Sequence, residues 1–239
     1  MSIADKTILI TGASRGIGRA LADEALRRGA KRIYAAARQP ATYADERVTP
    51  LTLDVTDAAQ VRAAAERVGS LDILINNAGL ALYEGLGDRA TLERHLAVNL
   101  YGTYAMSEAF LPVLTRSGGA IVNNLSLNSL APLPVLAAYS VSKAAALNLT
   151  QSLRALLAGD GVKVHGVVLG PVDTDMNRGF DIPKASTESA ARGILDGLER
   201  GEEDIFPDPA SQSVADGWRN GASKALERQF AAFVPGNAA

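Results

Sequence analysis

Three closely spaced glycines near the start of the chain constrain its fold more than any other feature. Residues 6–11 form a short apolar run typical of a buried strand, and residues 16–29 have the apolar spacing of a helix. Between them, Gly12, Gly16 and Gly18 let the backbone turn tightly and let a phosphate approach closely. The free N–H groups at the start of the helix favour an anion. The turn therefore predicts a phosphate-binding site, with an ordinary glycine-rich turn as the alternative.

Strand-like runs alternate with helical patterns along the rest of the chain. This alternation favours right-handed βαβ units and a parallel sheet with helices on both faces. We therefore expect an α/β fold, a Rossmann-type doubly wound sheet of about seven strands in one domain, in which the glycine turn binds a dinucleotide. The dinucleotide-binding half would cover about 1–125, and the catalytic and substrate-binding half about 126–234. The predicted strands are 6–11, 31–37, 48–53, 72–76, 119–126, 162–169 and 204–206, and the predicted helices are 16–29, 57–68, 89–116 (as one stretch or two pieces), 138–158 and 187–200.

Composition narrows the class of protein. The 239 residues include 24 basic and 26 acidic side chains, a balance that argues against a nucleic-acid or anionic membrane surface. The absence of cysteine excludes disulfides, thiolate zinc sites and cysteine nucleophiles. His95 and His165 have no metal-ligand neighbours at a useful spacing, so structural roles and no metal site are expected. The N-terminus lacks an apolar signal core and no run suits a membrane helix, which predicts a cytoplasmic protein.

The end of the second predicted strand indicates which dinucleotide binds. NAD-binding turns carry an Asp or Glu about 20 residues after the glycines, but here the strand ends at Ala37 and Arg38 follows. Arg15 lies inside the glycine turn, and two guanidinium groups suit a 2′-phosphate that a carboxylate would repel. The sequence therefore predicts NADP rather than NAD, with two solvated surface arginines as the alternative.

Polar residues also close the third and fourth predicted strands. Asp54 ends the third strand, and we expect it to accept a hydrogen bond from an adenine amino group, since Thr56 or Asp57 is the better cap for the next helix. Asn76 and Asn77 end the fourth strand, at the carboxyl edge where open α/β sheets bind ligands. Turn formation is the alternative role of these asparagines.

A serine, a tyrosine and a lysine suggest acid–base chemistry. Tyr139 and Lys143 lie four residues apart at the start of a predicted helix and share one face. Ser126 ends the fifth predicted strand. A neighbouring ammonium favours the phenolate and would lower the pKa of the tyrosine, while a serine hydroxyl can polarise the same substrate oxygen. The spacing alone is weak, but the three residues suit proton transfer if they converge.

Together these residues resemble the classical short-chain dehydrogenase/reductase family. The similarity spreads from position 11 to 176 in the order that the family shows. The matching residues are Thr11, Gly12, Gly16, Gly18, Asp54, Asn76, Asn77, Ala78, Gly79, Asn99, Ser126, Tyr139 and Lys143. Leu169 replaces a proline that is usual in the family, which places the shape of the following loop in question.

The resemblance implies a role for each matched position. Tyr139 would be the general acid/base, Lys143 would lower its pKa and bind the nicotinamide ribose, and Ser126 would hold the substrate oxygen. Asn99 would hold a water that links Lys143 to a proton relay. The residues implied to contact the cofactor are Gly12, Ser14, Arg15, Gly16, Ile17, Gly18, Arg38, Asp54, Val55, Asn77, Ala78, Gly79, Tyr139, Lys143, Gly170, Val172 and Thr174.

The resulting hypothesis is an NADP(H)-dependent carbonyl reductase that also works in reverse as an alcohol dehydrogenase. An NAD-linked dehydrogenase and a dinucleotide-binding regulator without turnover are the alternatives. A small apolar carbonyl or alcohol substrate is expected if certain loop residues line a pocket rather than pack on the core; these are Leu82, Tyr83, Leu86, Leu133, Val135, Leu136, Met176 and Phe180. Prolines beside the last strand favour a homodimer through the helices at 89–116 and 138–158 over a homotetramer.

Overall fold

One parallel sheet lies at the centre of the computed structural model, which describes residues 1–83 and 88–234. Its strand order is 3-2-1-4-5-6-7, which confirms the predicted doubly wound α/β fold. The strands are β1 (Thr7–Thr11), β2 (Arg32–Ala37), β3 (Val48–Thr52), β4 (Ile73–Asn76), β5 (Ala120–Asn124), β6 (Lys163–Val167) and β7 (Asp204–Ile205). Of the residues predicted to line a substrate pocket, Leu86 lies outside the described part of the chain.

Helices cover both faces of this sheet. They are α1 (Gly16–Arg27), α2 (Ala58–Arg67), α3 (Arg89–Leu96), α4 (Thr103–Ser117), α5 (Ala137–Leu157), α6 (Thr187–Arg200), α7 (Pro209–Arg219) and α8 (Ala222–Ala231). Side chains alternate across β1, where Ile8 and Ile10 face the layer of α1 and α6 while Leu9 faces the layer of α2, α4 and α5. Within the described residues, none of these helices is long and apolar enough to cross a bilayer.

The sheet order reverses between β1 and β4, the two strands at its centre. β1 pairs with β2 on one side and with β4 on the other, all in parallel. The chain therefore leaves these neighbouring strands in opposite directions, which opens a crevice at their carboxyl ends, where doubly wound folds bind ligands. The glycine turn follows β1, and Asn77 follows β4, so both lie at this crevice.

The helical stretch predicted at 89–116 is divided by a π-helix at Ala97–Gly102. The apolar spacing of the sequence could not predict this π-helix, because the helical periodicity of the segments on either side of it is almost unchanged. Gly102 lies at its end, where a Cβ atom would stand 2.6 Å from Cγ2 of Val55. This close approach holds the π-helix against the loop after β3, and the π-helix in turn carries Asn99.

The fifth strand ends earlier than predicted. β5 stops at Asn124, and Ser126 caps a short 3₁₀ turn at Leu127–Ser129 by accepting a hydrogen bond from the Asn128 N–H. Ser126 therefore lies just beyond the carboxyl edge of the sheet. Most other predicted boundaries differ from the structure by one or two residues.

Candidate active site

The glycine turn is packed so tightly that it excludes side chains. Gly12 and Gly16 have φ values of 68° and 55°, in the left-handed region that favours glycine. A Cβ atom on Gly18 would lie 2.3 Å from the Gly12 carbonyl oxygen, a distance that no rotation relieves. Arg15 stands at the N-cap of α1 without a capping hydrogen bond from its side chain. The first N–H groups of α1 therefore suit an anion such as a phosphate.

Asn77 joins this turn to the neighbouring strands. Its Nδ2 donates to the Thr11 carbonyl at 2.9 Å, and its Oδ1 accepts from Asn124 Nδ2 at 2.7 Å. The Ala78 N–H donates to Thr11 Oγ1 at 3.0 Å. The side chain of Asn77, which was predicted to lie against the cofactor, thus stabilises the turn. The hydrogen bond from Asn124 was not predicted, since nothing in the spacing marks that residue.

The predicted serine, tyrosine and lysine converge beside the crevice. Tyr139 and Lys143 lie on the first two turns of α5 and are 8% and 6% exposed. The Lys143 Nζ donates to the Asn124 carbonyl at 2.7 Å and lies 5.7 Å from the centre of the Tyr139 ring. Ser126 reaches the Tyr139 hydroxyl with its own hydroxyl. The structure therefore brings these three residues, 17 positions apart at most, into one group in which Tyr139 and Lys143 are buried and Ser126 is partly exposed.

Burial has the largest effect on the pKa values of Tyr139 and Lys143. Burial raises the pKa of Tyr139 to about 12, an effect that the Ser126 hydrogen bond reduces and the nearby Tyr83 phenol increases. Burial lowers the pKa of Lys143 to about 8. Desolvation is thus the largest influence on the Tyr139 pKa in this structure, and the expectation that Lys143 lowers that pKa stays a prediction. With this raised pKa, Tyr139 is a protonated phenol at neutral pH in the structure without a bound cofactor, so it has a proton to donate.

Asn99 lies close to Lys143, but its side chain bonds to protein atoms. Its Nδ2 donates to the Leu80 carbonyl at 2.9 Å and to Ser142 Oγ at 2.8 Å, and its Oδ1 accepts from the Leu80 N–H at 2.8 Å. A Cβ on Gly79 would stand 3.5 Å from Asn99 Oδ1 and 3.8 Å from Lys143 Nζ. Gly79 thus separates the two groups, and the side chain of Asn99 stabilises the loop after β4.

Asp54 forms a local turn. Its Oδ1 accepts from the Thr56 N–H at 2.9 Å and from Thr56 Oγ1 at 2.7 Å. Asp57 caps α2, as expected, by accepting from the N–H groups of Ala59 and Gln60. The neighbouring Val55 is buried against Gly102. Binding of an adenine amino group by Asp54 stays a prediction.

The loop after β6 lies against the glycine turn. A Cβ on Gly16 would stand 3.4 Å from Cγ2 of Thr174, and the Thr174 hydroxyl lies 3.4 Å from the Val172 carbonyl. Gly170 donates its N–H to Asp208 Oδ2 at 2.8 Å, and a Cβ there would meet the same carboxylate at 2.4 Å. Gly170 is therefore required by the contact with α7, and its N–H is already bonded.

The two arginines predicted to hold a 2′-phosphate have different surroundings. Arg38 is exposed immediately after β2, whose Ala36 pairs with Thr11 at the start of the glycine turn. Arg15 forms an ion pair with Asp175, with Nη1 and Oδ2 separated by 2.9 Å. This pair joins positions 160 residues apart, so no sequence pattern indicated it.

Both histidines make structural contacts. His95 is fully buried, with Nδ1 2.8 Å from the Thr91 carbonyl and Nε2 accepting from the Leu82 N–H at 3.0 Å. His165 places Nδ1 2.6 Å from the Glu202 carbonyl. Among the described residues, no group of three His, Cys, Asp or Glu side chains could hold a metal ion.

Part of the predicted substrate pocket is assembled. The Tyr83 and Phe180 rings lie with centroids 4.6 Å apart, and the Tyr83 hydroxyl donates to the Met176 carbonyl. Leu136 is buried, whereas Leu133 and Val135 are exposed. Tyr83, Met176 and Phe180 therefore form one contact cluster, which we call the aromatic wall, and its Tyr83 phenol is near enough to Tyr139 to affect its pKa.

Comparisons with known proteins agree with this geometry. The family model described as short chain dehydrogenase matches residues 6–184. A sorbitol dehydrogenase from Cereibacter sphaeroides is 36% identical over 81% of this chain and 80% of its own length. A 2-(S)-hydroxypropyl-CoM dehydrogenase from Xanthobacter autotrophicus is 37% identical over 80% and 82% of the two chains. The solved structure of a short chain dehydrogenase from Burkholderia cenocepacia in complex with NADP superimposes with a TM-score of 0.88, at 37% identity over 96% and 98% of the two chains.

The chain belongs to the short-chain dehydrogenase/reductase family. The family match covers the glycine turn, the crevice and the group around Tyr139, which are the parts of the structure that the resemblance singled out. The protein is accordingly an oxidoreductase whose class acts on alcohol carbons and the corresponding carbonyl groups.

Proposed function

We propose that this protein is an NADP(H)-dependent carbonyl reductase that also oxidises alcohols, with Ser126, Tyr139, Lys143 and Asn99 as its catalytic set. The observation that carries the proposal is the group formed by buried Tyr139 and Lys143 with the partly exposed Ser126, at the same edge of the sheet as the glycine turn. A dinucleotide-binding regulator would need the turn but none of these three side chains. A bound nicotinamide would supply the hydride.

The residues of the chain supply the proton and hold the substrate oxygen. Tyr139, with its pKa raised to about 12, keeps its proton at neutral pH and can donate it to the oxygen of a carbonyl group as that oxygen gains charge. The Ser126 hydroxyl interacts with the same phenol and would donate a second hydrogen bond to that oxygen. Lys143, bonded to the Asn124 carbonyl, has two further N–H bonds available for a ribose hydroxyl.

The proposed cofactor residues come from the glycine turn, from α5 and from the loops that follow β2, β3, β4 and β6. The backbone of the glycine turn and the start of α1 would hold the pyrophosphate, because the excluded Cβ atoms leave room for it. Arg38 and Arg15 favour NADP over NAD, and the Burkholderia cenocepacia relative was solved with NADP. The remaining proposed contacts are made by Ser14, Ile17, Asp54, Val55, Asn77, Ala78, Gly79, Gly170, Val172 and Thr174.

A small, largely apolar carbonyl compound fits this site best. The aromatic wall contains the packed rings of Tyr83 and Phe180, and Tyr83 lies close enough to Tyr139 to raise its pKa; aromatic surfaces of this kind bind apolar groups by burial. A phosphorylated or carboxylated substrate would lack a cationic partner in this wall.

The proposed assembly is a homodimer through α4 and α5. Tyr104 on α4 and Val141 on α5 are 47% and 45% exposed, and Tyr101 in the preceding π-helix is also exposed. Apolar side chains grouped on two helix faces are typical of a contact surface. Light scattering should give a dimer mass for the native chain and a monomer mass for Tyr104→Glu; a monomeric native chain would contradict the proposal.

NADPH consumption against a panel of aldehydes, ketones and diketones tests the proposed activity. Turnover with at least one apolar carbonyl compound, faster with NADPH than with NADH, is expected. Turnover with NADH alone would favour the NAD-linked alternative. Tight NADPH binding without turnover on any member of the panel would favour the regulator.

A further inference from the structure

The ion pair between Arg15 and Asp175 crosses the mouth of the cofactor crevice. Arg15 belongs to the glycine turn, and Asp175 follows Thr174 in the loop after β6. The side chains of Arg15 and Asp175 are 75% and 44% exposed, so solvent weakens their attraction. An arginine in such a pair can exchange its carboxylate for a phosphate at little cost, because phosphate also accepts two parallel hydrogen bonds from a guanidinium.

Asp175 keeps a cationic partner when Arg15 leaves. Arg178 also donates a hydrogen bond to the Asp175 carboxylate. Arg178 contacts the Oδ1 atom, whereas Arg15 contacts Oδ2. The exchange of Arg15 therefore creates no unpaired carboxylate in the loop. Arg38, by contrast, is exposed and forms no ion pair among the described residues. Of the two arginines proposed to bind the 2′-phosphate, only Arg15 must first give up a contact.

We propose that Asp175 is a specificity-determining residue that competes with the 2′-phosphate of NADP for Arg15. NAD has no such phosphate, so its binding leaves the pair intact, whereas NADP binding exchanges it. Asp175 thus reduces the preference for NADP that the two arginines would otherwise give. This inference rests on the proposed use of NADP and adds a residue from the loop after β6.

The exchange of Asp175 for the 2′-phosphate at Arg15 also couples cofactor binding to substrate binding. The loop that carries Asp175 continues through Met176 to Phe180, which belong to the aromatic wall. Release of Arg15 removes one of the contacts that hold this loop to the glycine turn. Coupling between two binding events is reciprocal, so a substrate that stabilises the loop in its paired position would weaken the hold on the 2′-phosphate.

Calorimetric titration of the Asp175→Asn protein with NADP⁺, NAD⁺ and adenosine 2′,5′-bisphosphate tests the proposal. The substitution should increase the affinity for NADP⁺ and for the bisphosphate about two- to fivefold, which is the range for one exposed ion pair. The affinity for NAD⁺ should stay unchanged. Asp173→Asn is the matched control, because Asp173 lies in the same loop with the same charge and without an ion pair to Arg15 in the described structure. In an Arg15→Ala background, Asp175→Asn should have no effect on any of the three ligands.

Three results would overturn the inference. Unchanged NADP⁺ affinity in Asp175→Asn would mean that the pair does not compete with the phosphate. Weaker binding of both NADP⁺ and NAD⁺ would mean that the pair closes over the pyrophosphate instead. An equal increase in NADP⁺ affinity in Asp173→Asn would show that the effect arises from the change in net charge alone. Failure of the native protein to bind NADP⁺ at all would instead overturn the proposed function, so the two failures are distinguishable.

Discussion

The Lys143 ammonium lies 5.7 Å from the centre of the Tyr139 ring, and its hydrogen bond runs to the backbone carbonyl of Asn124. Both side chains are buried and no carboxylate compensates the lysine charge in the described part of the chain. Burial of the Lys143 ammonium therefore lowers the stability of the folded protein, which is typical of a residue that serves function rather than folding.

Replacement of Lys143 by Met should stabilise the protein in a pH-dependent way. The lowered pKa, about 8 instead of 10.5, corresponds to about 3 kcal/mol of lost stability. This loss is complete below pH 8, where the folded and unfolded chains both carry the proton, and it disappears as the pH rises toward 10.5. The gain in Tm for Lys143→Met should therefore be larger at pH 6 than at pH 10.

Lys163→Met is the matched control for this measurement. Lys163 is exposed at the start of β6, so its replacement should change Tm little and equally at both pH values. A gain for Lys143→Met that is the same at pH 6 and pH 10 would show that the buried lysine is not destabilised by its charge.

Tyr139 should remain protonated in the free protein throughout the neutral range. Its raised pKa, about 12, arises mainly from burial. The ultraviolet absorbance of tyrosinate, followed against pH, should show no difference between the native protein and Tyr139→Phe below about pH 10. One additional tyrosine ionising near neutral pH in the native protein alone would show that Lys143 outweighs desolvation.

Gly18→Ala should disrupt the glycine turn. The new Cβ would lie 2.3 Å from a backbone oxygen, which cannot move without opening the turn. Overpacking of this kind costs about 1–3 kcal/mol, so a lower Tm and loss of NADPH binding are expected. Gly69→Ala is the control, because a Cβ at Gly69 meets no atom within 4 Å. Retention of NADPH binding by Gly18→Ala would argue against a phosphate site in this turn.

Arg38→Ala should reduce the preference for NADP. A charged hydrogen bond contributes about 1.5–3 kcal/mol, which is roughly a 10- to 100-fold change in Kd. The Kd for NADP⁺ should rise by that factor while the Kd for NAD⁺ stays the same. Arg116→Ala, at an exposed position on α4, controls for the loss of one positive charge. If the preference persists in Arg38→Ala, the 2′-phosphate is bound elsewhere.

Local patterns predicted the parts of this structure that depend on neighbouring residues. The glycine turn, the alternation of strands and helices, and the pairing of Tyr139 with Lys143 on one helix face all follow from short-range spacing. The cap at Asp57 follows from the preference of helix starts for a carboxylate. These features were enough to define the family and the position of the site.

Features that depend on packing between distant segments could not be predicted. The π-helix that carries Asn99 ends at Gly102, which packs closely against Val55 from a distant loop. The ion pair of Arg15 joins residues that only the completed fold brings together. The pKa of Tyr139 rises because burial, which the sequence does not quantify, outweighs the hydrogen bond from Ser126.

Turnover by Tyr139→Phe tests the central claim most directly. The substitution removes only the proton donor, so NADPH should bind with a Kd close to that of the native protein, while kcat for carbonyl reduction should fall about 10²- to 10⁴-fold. Tyr34→Phe, which removes a hydroxyl from β2 far from Ser126, should leave both values unchanged. Carbonyl reduction by Tyr139→Phe at a rate within tenfold of the native protein would contradict the assignment of Tyr139 as the acid.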